Sequence, residues 1–111
     1  GNHYRLIYTD SKGVQQMTHL TMGRNDIIEI KTGVSKISLD DIDAADKKTI
    51  EVTRNLNDAI SKSAQKFNGK KYKLNQFDCF RYIESIIGKA NPDISIKGST
   101  NLDRFKSLGC K

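Results

Sequence analysis

A chain of 111 residues with four Phe, four Tyr, no Trp and an apolar fraction of 36% can build one core of two packed layers, so residues 1–111 are read as a single domain. Nineteen Lys and Arg against thirteen Asp and Glu give a net charge of +6, which favours anionic partners such as nucleic acid, phospholipid headgroups or an acidic protein. Two cysteines exclude a disulfide framework beyond one Cys79–Cys110 bridge, and no apolar run approaches the roughly 18 residues of a membrane span, so a soluble protein is expected.

Residues 3 to 9, His-Tyr-Arg-Leu-Ile-Tyr-Thr, are rich in β-branched and aromatic types and predict a strand. Asp10-Ser11-Lys12-Gly13 is a turn, and Val14 to Thr21 returns as the second strand of a hairpin. After punctuation at Gly23 to Asp26, alternation over Ile27 to Lys31, and again over Val34 to Leu39 beyond Gly33, predicts two further strands. The first third therefore reads as a small antiparallel sheet.

From about Asp46 the period lengthens. Val52, Leu56, Ala59, Ile60, Ser63, Ala64 and Phe67 define one face of a long helix ending at Asn68-Gly69, with Lys47, Lys48, Arg54, Lys62 and Lys66 outside. A second helix is predicted from an Asp78 N-cap through Ile83, Ile86 and Ile87 to about Ala90, where Asn91-Pro92 breaks it. A third runs from Asn101 to Ser107 behind Ser99-Thr100. The fold class is α+β, a small antiparallel sheet packed against two or three helices.

Cys79 falls in the first turn of the second helix, where partially positive backbone amides favour a thiolate and hence a nucleophile. The same residue shares a helical face with Ile83, Ile86 and Ala90, the pattern of a small core residue. The two histidines, His3 and His19, lie far upstream on predicted strands, so any pairing with Cys79 must be made by the fold. Lys66, Lys70, Lys71, Lys73 and Arg81 bracket Cys79 as a solvated basic face or as groups that draw in an anion. With no phosphate loop and no ligand-spaced His/Cys cluster, no metal and no cofactor is expected.

The run Phe67-Asn68-Gly69-Lys70-Lys71-Tyr72-Lys73-Leu74, followed by Asp78-Cys79-Phe80, resembles the helix, Gly-x-x-Tyr-x-Leu segment and cysteine-headed helix of the lecithin:retinol acyltransferase-like group. Phe-Asp-Cys is also similar to the nucleophile site of the NlpC-type peptidases. Both groups belong to one papain-like superfamily. Its circularly permuted branch places strands bearing a His and a polar partner before the cysteine helix, the order found here. The resemblance implies a circularly permuted papain-like fold, with Cys79 as nucleophile, His3 as general base and His19 orienting the base. The acyltransferase group usually has Asn just before the Cys and His two residues after it, where this chain has Asp78 and Arg81.

The implied activity is that of a thiol hydrolase or acyltransferase acting through an acyl-enzyme on an amide, ester or thioester. Peptide, lipid and other acyl substrates all fit that step. A basic domain that begins Gly-Asn-His, with leading residues left by a cleaved tag, reads as a piece excised from a larger protein. It would be cytoplasmic or part of a secreted toxin or effector, with an acidic inhibitor or immunity protein as partner. The competing expectation is a metal-independent ribonuclease using His3 and His19 as acid and base, with lysines on phosphate. A third is an adaptor whose basic face binds an acidic protein.

Overall fold

The computed structural model describes residues 3–109. Strands β1 (Arg5–Thr9), β2 (Gln15–Met22) and β3 (Ile28–Val34) form an antiparallel sheet in the order β1-β2-β3. Helices α1 (Leu56–Phe67), α2 (Cys79–Ala90) and α3 (Asn101–Ser107) follow. The expected α+β architecture of a small antiparallel sheet with three helices is present.

Asp10 builds the β1–β2 turn: its Oδ1 accepts from the amides of Lys12 and Val14, and its Oδ2 from Gln16 Nε2. Gly13 supplies the left-handed φ of +80° that this turn requires. Register pairs Arg5 with His19 and Leu6 with Thr18 across β1 and β2, and His19 with Lys31 and Leu20 with Ile30 across β2 and β3. Since strand side chains alternate between faces, the buried Thr18 and Leu20 fix the inner face. On that face Thr18 Oγ1 sits 2.7 Å from the buried hydroxyl of Tyr82 in α2 and 2.8 Å from Thr32 Oγ1.

The sheet departs from expectation at β3, which is one strand running through Gly33, opposite Met17. The last sheet amide beyond it is Ser35, donating to Gln15 O; Ile37 then bonds locally to Ser35 Oγ, so the predicted strand Val34 to Leu39 does not form. β1 begins at Arg5, leaving His3 two residues before its start.

The long helix predicted from Asp46 is also corrected. Residues 47–55 are non-helical and Val52 is 45% exposed. The amides of Thr53 and Arg54 both donate to Ala90 O, and Asn91 Nδ2 donates to Glu51 O, so this segment closes the C-terminus of α2. A helix through it would forfeit those bonds. The helix starts instead at Leu56, behind Asn55, whose side chain caps the amide of Asp58.

α1 buries Ala59, Ile60, Ser63 and Phe67 against α2, which buries Phe80, Tyr82, Ile83, Ile86, Ile87 and Ala90 between α1 and the sheet. At roughly 25 cal/mol per Å² of apolar surface, this stripe is the main source of cohesion. α3, capped by Thr100 as predicted, leans on α2 through Arg104 Nε, 2.7 Å from Glu84 Oε2. No helix among the described residues is long and apolar enough to cross a membrane.

Candidate active site

Asp78 is fully buried at the head of α2. Its Oδ1 accepts the Arg81 amide at 2.8 Å, and its Oδ2 accepts the Asn75 amide and Asn101 Nδ2, each at 2.7 Å. One carboxylate thereby ties α2, the loop before it and the start of α3. A carboxylate suits this place, since an amide has one acceptor oxygen and three donors converge here. The negative charge is engaged in the cap and in the loop.

Cys79 follows at the first position of α2, half-buried against the core. The preceding loop folds on itself through mutual bonds of Lys73 and Phe77, with Asn75 at φ +67°. It is anchored by the Tyr72 amide, which donates to Asp26 O at 2.7 Å. The Tyr72 phenol is pushed above its ordinary value by burial and by the adjacent Cys79 and Asp78. Leu74, the other apolar residue of the Tyr-x-Leu spacing, is 64% exposed at the loop tip.

The second cluster lies on the sheet. His3 Nε2 is 3.0 Å from His19 Nδ1, with the rings edge to face. His19 stands between the inward-facing Thr18 and Leu20, so its ring lies on the outer face of the sheet. Its cross-strand neighbours there are Arg5 and Lys31. Burial holds both imidazoles below the usual histidine value; Arg5 adds to this for His3, and His3, Arg5 and Lys31 add to it for His19. Both rings are thus biased toward the neutral form, able to accept a proton.

The fold brings His3 and His19 together, and among the described residues no hydrogen bond runs from either imidazole to the Cys79 thiol. The imidazole pair lies on the outer face of the sheet, whereas α2, which carries Cys79, packs on the inner face beside Thr18. Tyr4, adjoining His3, lies edge-on to Phe80, adjoining Cys79, at a centroid distance of 4.9 Å.

The basic residues bracketing Cys79 divide. Lys66, Lys70, Lys71 and Lys73 are exposed, and Lys66 lies 5.8 Å above the Phe67 ring. Arg81, expected beside a thiolate, instead gives Nε to Asn101 Oδ1 and a second nitrogen to Glu84. Cys110 lies outside the described residues.

Sequence reasoning overlooked Arg5, although the His-x-Arg spacing on a strand puts both side chains on one face. It also overlooked Tyr4, Leu102 and Phe105, whose convergence is purely tertiary. Comparison with protein-family models, with curated proteins and with solved structures finds no significant match to this chain.

Proposed function

We propose that the protein is a small thiol hydrolase or acyltransferase in which Cys79 is the nucleophile, His3 the general base and His19 the residue that orients it. The observation that carries this reading is the His3–His19 hydrogen bond. It engages Nε2 of His3, sets the ring and leaves Nδ1 to take a proton, the relation of a base to its orienter. The Tyr4–Phe80 ring contact joins the residue after the base to the residue after the nucleophile. The likeness of residues 67 to 80 to the permuted papain-like superfamily adds to it.

In the reaction, the thiol proton passes to His3 Nδ1 as Sγ bonds to the carbonyl carbon. The amides at the head of α2 other than those of Arg81 and Tyr82, which donate to Asp78, face the developing oxyanion. Collapse breaks the bond to the leaving nitrogen or oxygen, which takes the proton from the imidazolium. Water or an amine, deprotonated by His3, then attacks the thioester and returns the thiol. In this reading, substrate binding has to bring His3 Nδ1 within hydrogen-bond reach of the Cys79 thiol.

The ribonuclease reading has one observation in its favour, the flanking of His19 by Arg5 and Lys31. Against it, rings hydrogen-bonded at 3.0 Å leave no space for a phosphate between an acid and a base, so they act as one unit. The deciding experiment is incubation with p-nitrophenyl acetate, following nitrophenolate release and locating the acetyl group by mass spectrometry. The reading requires a burst with acetyl on Cys79, lost in Cys79→Ser and slowed at least tenfold in His3→Ala. Acylation that ignores His3, or RNA cleavage that survives Cys79→Ser, would sink it.

A further inference from the structure

A cleft of about 420 Å³ opens beside His3, between the start of β1, the turn Ala44–Asp46 and α3. Its size lies within the range of small-molecule sites. Tyr4 and Phe105, their rings 5.4 Å apart, form an aromatic wall, and Leu102, 41% exposed, extends it. Arg5 and Lys106 also line the cleft. Lys31, on the far side of His19, is answered by Glu29 at 3.3 Å. Arg5 has no carboxylate partner among the described residues, and Asp46 lines the same cleft without closing an ion pair on it. A cleft lined by cations as well as by an apolar wall is complementary to a ligand with an apolar body and a negative charge.

We infer that this cleft binds a residue bearing a carboxylate beside an aromatic or branched apolar side chain. The side chain lies against Tyr4, Leu102 and Phe105, and the carboxylate is on Arg5. That is the chemistry of the C-terminal residue of a peptide, which makes the leaving amine a terminal amino acid. The substrate assignment rests on the thiol reading, whereas binding of the residue does not, so the two are tested apart.

The experiment is an amide-resolved NMR titration of the Cys79→Ala protein, which cannot acylate, with N-acetylphenylalanine at pH 7. N-acetylphenylalanine amide and N-acetylalanine serve as comparisons. Saturating shifts are expected at Arg5, Leu102 and Phe105, with the acid binding at least fivefold more tightly than either comparison. Arg5→Gln removes the preference of acid over amide and keeps the apolar contact. Leu102→Glu, at an exposed position that spares the core, weakens the acid about tenfold and the amide much less. Equal binding of acid and amide, a preference that survives Arg5→Gln, or shifts confined to a second groove, lined by Lys66 of α1 and by Glu84 and Lys89 of α2, would overturn the assignment. A cleft that binds as described in a protein whose Cys79 never acylates would retain the site and discard the peptidase chemistry.

Discussion

The ring of Tyr4 meets Phe80 edge to face with centroids 4.9 Å apart, a contact between the strand end carrying His3 and the helix head carrying Cys79. An edge-to-face aromatic pair contributes about 1 kcal/mol beyond its buried area. Its removal should therefore affect alignment more than stability. Tyr4→Leu, which keeps an apolar side chain, is expected to stay folded by circular dichroism and lower the urea midpoint modestly. Acetylation of Cys79 should slow at least tenfold. An unchanged acetylation rate would show that the relative placement of the two ends does not depend on this contact.

Asp78 holds three donors on two oxygens. In Asp78→Asn the amide oxygen can keep either the Arg81 amide or the pair on the other side, but its nitrogen then faces donors. The expected cost is about 2–3 kcal/mol, the range for a buried donor deprived of its acceptor. Urea denaturation measures it. Asn101→Ala leaves the Arg81 and Asn75 amides on the carboxylate and should cost less, so the order of the two variants tests whether Asp78 is chiefly a cap or chiefly a bridge to α3.

How much of this was legible in the sequence follows from where the causes lie. The starts of α2 and α3 were readable because Asp78 and Thr100 act within three residues, each accepting an amide of the first turn. The start of α1 was not, because the periodicity runs on through Val52 while the decisive partner, the carbonyl of Ala90, arrives from the end of another helix. Gly33 read as a break, yet β2 continues beside it and the strand runs through. His3 and His19 stood out as the chain's two histidines, the resemblance supplied their roles, and the hairpin brings them together. Arg5 shares their strand face by simple alternation. Leu102 and Phe105 reach the cleft only through the packing of α3, for which the sequence carries no local signal.

The hydroxyls of Thr18 and Tyr82 are 2.7 Å apart and both residues are fully buried, with Thr18 also bonded to Thr32. Burial holds the Tyr82 phenol above its ordinary value. Tyr82→Phe leaves Thr18 its Thr32 partner and is expected to cost about 1 kcal/mol. Thr18→Val strands a buried phenol and should cost about 1–3 kcal/mol, the larger of the two. Chemical denaturation of both variants decides the order. The reverse order would mean that Tyr82 finds another partner on relaxation.

Both imidazoles sit below the ordinary histidine value of 6.5, through burial first and nearby cations second. The folded protein therefore binds fewer protons than the unfolded chain once the pH drops to about 6.5. Their contribution to stability is complete above that pH and is lost as the pH falls through 6.5 toward the depressed folded values. The urea midpoint should accordingly decline between about pH 7 and pH 5, and His19→Gln should make the decline shallower. A decline of the same slope in that variant would assign it to other groups. For catalysis the same depression keeps His3 neutral at pH values where a free imidazole is largely protonated, so the acid limb of Cys79 acetylation lies below 6.5. Arg5→Gln removes the cation that acts on both rings and should move that limb upward, toward 6.5. A limb that stays in place would leave burial alone as the cause.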